Sequence, residues 1–172
     1  MILRDVRVSV LDTIVITLVL RLKQDTGPVV SGKMTNYEHY LQHSYDAVKR
    51  AENMLLIDLE EDLEAYLVHL FANYMDKPQI NTEPVCIKLL ESTHKPIKER
   101  MPILKEVGDE CLLVHSLGWG KPRWPTDNYY QEMGQTAYVT RAFLRRPPET
   151  LYDELAVEFD TVSKILKTCV QH

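Results

Sequence analysis

The sequence predicts an all-α fold, a compact bundle of five to six helices with mostly antiparallel neighbours. Three observations carry this. Apolar residues from residue 34 onward recur with a helical period of about 3.6. Proline or glycine stands at nearly every boundary between the periodic segments. The connections are short, which favours antiparallel neighbours or a compact orthogonal packing.

The elements follow in order. Met34-Thr35 opens the first amphipathic segment, with Thr35 placed as N-cap. Tyr37, Tyr40, Leu41, Val48, Ala51 and Leu55 share its apolar face. A second helix is expected from near Asp58, with Leu59, Leu63, Tyr66, Leu67, Leu70, Phe71 and Tyr74 as its stripe. Asp58, Glu60, Glu61 and Asp62 crowd its first turn, where the helix dipole favours negative charge. Asp76-Lys77-Pro78 ends it. Pro84 suits the start of a short helix over 84–93.

Pro96 breaks that helix, and the next runs over 97–117. Gly118, Gly120, Pro122 and Pro125 mark the loop WGKPRWP. Thr126 caps a fifth helix that reaches Arg145. After the break at Arg146-Pro147-Pro148, a last helix over 149–170 buries Leu151, Leu155, Phe159, Val162, Leu166 and Cys169.

Residues 1–33 have a different character. Val8 to Leu20 is an apolar, β-branched run between Arg4 and Arg7 on one side and Arg21 and Lys23 on the other. Four readings compete. For a transmembrane helix the run is shorter than the about 20 apolar residues needed, and Asp12 interrupts it. For a signal peptide it lacks an A-x-A-like cleavage site. For a strand it has suitable residue types but no partner strand downstream. In the fourth reading Met34 is the true start, so that 1–33 is an N-terminal extension and 34–172 a single helical domain.

Composition narrows the class. A chain of 172 residues fits one domain, and a domain of that size buries about 70% of its unfolded surface without disulfides or metal. A net charge of −5 argues against a general nucleic-acid binder, which needs a basic face. Cys86, Cys111 and Cys169 are odd in number and form no CxxC pair, so they read as free thiols in the cytoplasm. No structural metal, no cofactor and no membrane span are expected. Phosphate-binding glycine loops, GxSxG, HExxH and EF-hand motifs are absent from the sequence.

A few side chains carry chemistry. His39 and His43 have the H-x-x-x-H spacing that sets two imidazoles on one helix face for a metal. The helical wheel puts them opposite the apolar stripe, so they read as solvent-facing. Glu91 and His94 form an E-x-x-H at a helix end beside Pro96. Di-iron bundles need two such motifs and two further glutamates, and only one copy is present. His115 falls on the apolar face of helix 97–117, in line with Ile97, Met101, Leu104, Gly108, Cys111 and Leu112. There it is expected to be the least exposed histidine and to need hydrogen-bond partners. Cys111 and His115 also have the i, i+4 spacing of a nucleophilic pair, without an orienting third residue or an oxyanion element. Trp119, Trp124, Tyr129 and Tyr130, beside Lys121 and Arg123, form an aromatic cluster that could stack a ligand or cap the bundle. Arg141, Arg145 and Arg146 suit the C-terminal end of a helix. Gly108 and Gly134 are places where another helix can come close.

GDECLLVHSLGW (Gly108 to Trp119) followed by NYYQEMGQTAY (Asn128 to Tyr138) resembles a pattern in uncharacterised all-helical bacterial proteins, over residues 37–170. The resemblance implies an all-helical fold and a bacterial cytosolic origin, and no activity. Two functional expectations remain. One is a non-catalytic helical protein acting through self-association or protein binding. The other is a small-ligand or metal-binding protein, or an enzyme, with an interior pocket formed by His115, Cys111, Tyr129 and Tyr130, with Trp119 beside it. A packed core favours the first and a polar pocket of several hundred Å³ the second.

Overall fold

The computed structural model describes residues 36–77, 84–118 and 127–171. The Met34-Thr35 start, segment 1–33, the Thr126 cap and the loop with Trp119, Lys121, Arg123 and Trp124 lie outside the described residues. Seven helices and no strand occur among those described. They are α1 (Asn36–Leu55), α2 (Glu61–Asp76), α3 (Val85–Ser92), α4 (Ile97–Leu117), α5 (Asp127–Phe143), α6 (Thr150–Val157) and α7 (Phe159–Gln171). No helix among the described residues is long and apolar enough to cross a membrane.

The count exceeds the expected five to six because 149–170 is two helices. The chain turns at Glu158 (φ −89°, ψ 15°), whose N–H bonds the Glu154 carbonyl at 2.7 Å. Neither proline nor glycine marks this break. It lets Val157 face outward, 72% exposed, while Phe159 is fully buried.

Helices α1 and α2 form one antiparallel hairpin. The buried stripe of α1 is Tyr40, Val48 and Ala51, joined by the polar Ser44 and Glu52. The buried Glu52 carboxylate does two jobs: it accepts the Leu59 N–H at 3.1 Å and pairs with Lys49 at 3.0 Å. The turn between them places Leu56 at φ 54°, so that the Ile57 N–H reaches the Glu52 carbonyl at 3.0 Å. That left-handed position is one that glycine usually fills. With residues 56–60 spent on the turn, α2 starts at Glu61 rather than near Asp58.

Helices α4 and α5 make a second antiparallel hairpin, packed closely at two glycines. Gly134 on α5 lies where a Cβ would stand 2.6 Å from the Phe159 ring and 2.9 Å from Cys111 Cβ. Three helices, α4, α5 and α7, therefore meet at that glycine. Arg141 near the end of α5 donates to the Met101 carbonyl at 2.8 Å and lies over the Tyr152 ring at 4.1 Å. Its guanidinium also faces Glu149 at 3.4 Å, which Arg145 approaches at 2.9 Å. These arginines thus lock α4, α5 and α6 together. Helix α7 packs on α4 and α1, and a buried Ser116–Ser163 hydrogen bond of 3.1 Å joins it to α4.

The two hairpins are tied by one carboxylate. Asp109 Oδ1 accepts the Tyr66 hydroxyl from α2 at 2.5 Å and the Tyr138 hydroxyl from α5 at 2.8 Å. Its other oxygen receives Lys105 at 2.6 Å. The rings of Tyr66 and Tyr138 both flank Tyr152 on α6, with centroids 5.9 and 6.1 Å from it. Tyr138 is fully buried and fits only because residue 108 is glycine; a Cβ there would lie 2.4 Å from its ring. Gly108→Ala should therefore displace Tyr138 from Asp109 and destabilise the fold by about 1–3 kcal/mol, the usual range for overpacking. Urea denaturation checks it, and an unchanged midpoint would show that the ring has somewhere else to go.

Candidate functional site

The structure brings three of the residues expected to share a pocket into one cluster. Cys111 (fully buried) and Tyr130 (7% exposed) sit in one apolar cluster with Val85, Leu104, Val107, Val114 and Ala137, and Tyr129 packs against it. The two tyrosine rings meet edge to face, centroids 5.3 Å apart. His115 stands one turn beyond Cys111 on α4, and its ring meets Phe159 of α7 at 5.8 Å. Trp119 lies outside the described residues.

The solvent-facing reading of His39 and His43 is corrected here. Both are half-buried, as is His115. The His39 and His43 rings lie edge to face at 4.7 Å, and His39 Nε2 is buried without a hydrogen-bond partner among the described residues. A helical wheel ranks faces by apolarity alone. It cannot register that α1 packs against both α2 and α7. Among the described residues no three His, Cys, Asp or Glu side chains converge as metal ligands. Glu91 and His94 are both exposed at the end of α3.

The signal that sequence reasoning missed is Lys88. On the short helix α3 it points inward, 8% exposed, and reaches Glu106 and Glu110 of α4, each at 2.9 Å. Glu110 is equally buried, and its second oxygen, Oε1, has no hydrogen-bond partner among the described residues. Burial opposes the Lys88 charge; the two carboxylates outweigh it and hold the pKa above the ordinary lysine value. A clue existed in the spacing of Glu106 and Glu110, one turn apart on α4 and both available to a single cation. Tyr129 closes the site from below, its hydroxyl accepting the Cys86 N–H at 3.2 Å.

Chemically the cluster is quiet. Burial first, and then the Glu110 charge, push the Cys111 thiol well above its ordinary range. A thiol held neutral is a poor nucleophile, so the i, i+4 relation to His115 does not arm it. Burial raises Tyr130 as well, and Tyr129 is pushed up to about 12 by burial and by the Cys86 thiol.

A second feature lies on the surface. Helices α1 and α2 leave a groove of about 400 Å³ between them, lined by Glu38, Leu41, Gln42, Tyr45, Glu61, Glu64, Ala65, Val68 and His69. Its end near the start of α1 is closed by a Tyr37 hydroxyl contact with His69 Nδ1 at 3.2 Å. A third is an exposed apolar strip on the α5–α6 hairpin. Val139 and Phe143, one turn apart on α5, are 40% and 60% exposed. Gln135, a turn earlier, holds the Ala156 carbonyl at 3.0 Å.

No protein-family model, no curated protein and no solved structure matches this chain.

Two outcomes follow from the interior groups. Lys88→Ala should cost about 3–5 kcal/mol, because it strands the Glu110 charge in the core. The double substitution Lys88→Met with Glu110→Leu should recover most of that loss; equal urea midpoints for the single and double variants would show that the pair is not what holds α3. The pH dependence has a definite sign. Cys111 and Cys169, and Tyr66, Tyr129 and Tyr138, all have folded pKa values raised above the ordinary ones, chiefly by burial. The folded state then binds more protons than the unfolded chain in alkaline solution, so stability is full below about pH 8.5 and falls as pH climbs through 9 and towards 12. A melting temperature that stays level from neutral pH to alkaline conditions would contradict this.

Proposed function

We propose that this protein is a non-catalytic helical module that acts by self-association or by binding a protein partner. The observation that carries the reading is the exposed strip of Val139 and Phe143. These two large apolar side chains stand one turn apart on α5, 40% and 60% exposed. Exposed apolar side chains that neighbour one another are a usual mark of a protein contact. The interior supports the same reading from the other side. The candidate nucleophile Cys111 is fully buried and held neutral, and Lys88 and Glu110 are used on each other.

The competing reading, a ligand pocket at Cys111, Tyr129 and Tyr130, has one observation in its favour. The unpartnered Glu110 Oε1 is a buried acceptor beside that cluster. A ligand would have to displace α3 to reach it, since Val85 and Lys88 of that helix are themselves buried against α4.

Sedimentation velocity over micromolar to submillimolar concentration tests the first reading. The wild-type chain should show a concentration-dependent dimer, and Phe143→Asp should abolish it while leaving the helical circular dichroism unchanged. A wild-type monomer across the whole range, with Phe143→Asp no more soluble than the parent, would remove self-association through this strip.

A further inference from the structure

We propose that α3 is a hinged strap: it lifts off α4 as a unit while the other helices stay packed, and in lifting it uncovers the Cys111 thiol and the apolar cluster around it. The inference is independent of the exposed strip on α5.

The amphipathic pattern of α3 is inverted. Of its four aliphatic side chains, Val85 is buried and Leu89 half-buried, while Ile87 and Leu90 are 43% and 66% exposed. The inward positions, Val85, Lys88 and Ser92, include a charge and a hydroxyl. Packing of an apolar face is what holds a short helix in place, and α3 leaves half of its aliphatic residues to water. It packs chiefly on α4, with a smaller contact to α5. Ser92 adds no tie to α4, because its hydroxyl donates to the Leu89 carbonyl of its own helix at 2.6 Å.

The polar ties are ones that water can replace. Lys88 and Glu110 lose hydration on burial, and the attraction within such a pair does little more than offset that loss. Lifting α3 returns both to water together, so neither charge is stranded. Glu106, the other partner of Lys88, is already 59% exposed. With α3 docked, Glu110 Oε1 is buried without a hydrogen-bond partner among the described residues. That oxygen is a standing penalty on the closed form, and water removes it in the open one. A further tie runs from the Cys86 N–H to the Tyr129 hydroxyl at 3.2 Å, and Cys86 is itself exposed.

The chain connection permits the motion. Residues 93–96 are all exposed. The N–H groups of Thr93, His94 and Lys95 bond back to the carbonyls of Leu90, Glu91 and Ser92. The turn therefore belongs to α3, and the pivot is Pro96, where α4 begins. The bonds that join the other helices use no residue of α3: Asp109 with Tyr66 and Tyr138, Arg141 with the Met101 carbonyl, and Ser116 with Ser163. A partial opening of this kind costs less than global unfolding. Beneath the strap, Val85 packs into one cluster with Leu104, Val107, Cys111 and Tyr130. Cys111 lies near enough to feel the charges of both Lys88 and Glu110, which places it at the inner face of α3.

The test is labelling of the full chain with N-ethylmaleimide under native conditions, read cysteine by cysteine by peptide mass spectrometry. Cys86→Ser removes the exposed thiol. Ser163→Cys places a reference thiol in α7, at a position 1% exposed, against Cys111 at 0%. Global unfolding alone would label the two at one rate. The strap makes Cys111 label about tenfold faster, an opening cheaper by about 1.4 kcal/mol. Low urea should speed the reference thiol and barely move Cys111, because lifting α3 exposes little surface. Ser92→Cys puts a thiol on the buried face of α3 itself, and it should label as fast as Cys111. Lys88→Met with Glu110→Leu replaces the ion pair by apolar contact, so Cys111 should slow to the rate of the reference. Matching circular dichroism spectra show that the variants fold. Equal rates at Cys111 and the reference would overturn the proposal. So would a thiol at position 92 that stays protected while Cys111 reacts, which would give the opening to another element. Labelling of Cys111 as fast in the double variant as in its parent would overturn it too.

Discussion

The arrangement depends on one carboxylate. Asp109 gathers a hydroxyl from α2, a hydroxyl from α5 and an ammonium from its own helix. Tyr66 and Asp109 are 43 residues apart, Tyr138 and Asp109 29. This carboxylate joins the two hairpins, which α7 also bridges by packing on both α4 and α1. A carboxylate accepts hydrogen bonds without donating any, so two tyrosines can share one of its oxygens, and such charge-assisted bonds are roughly twice as strong as neutral ones. The surrounding geometry serves it: Gly108 makes room for Tyr138, and Tyr152 fills the gap between the two rings.

Lys88 shows the same principle on a smaller scale. Helix α3 spans only Val85–Ser92, too short to be held by its own propensity. Val85 and Leu89 give it a thin apolar edge against α4, and the ion pair with Glu106 and Glu110 fixes its register. Buried pairs of this kind add little net stability but penalise every alternative packing that would leave a charge behind. The short helix is thus held by the cost of its misplacement more than by the strength of its own contacts.

Much of the fold was legible in the sequence, because apolar period and helix-breaking residues are local signals. The bounds of α4 follow from Pro96 and Gly118, and Gly118 indeed adopts the left-handed cap at φ 67°. The stripe of α2 is buried at Leu63, Leu67, Leu70, Phe71 and Tyr74. The break at Glu158 was not legible, since no residue type announces it. The site was less readable still. Cys111, Tyr129 and Tyr130 come together, and the His115 ring meets Phe159. Asp109, Lys88 and Glu110 look like surface charges on a wheel, and their partners lie on other helices. Pairings between helices leave no period in either one, so only the assembled packing brings them to view.

The tyrosine network has a spectroscopic meaning. Tyr66 and Tyr138 have ring centroids 5.9 and 6.1 Å from Tyr152 in an asymmetric, water-poor setting, and both are bound to one carboxylate. Such rings dominate near-ultraviolet dichroism, and a nearby carboxylate quenches tyrosine emission. Far-ultraviolet signal from seven helices reports only that helices exist. In this molecule the tyrosine band reports whether the two hairpins have found each other, which makes it a natural optical gauge for telling a docked native state from a collection of formed but undocked helices.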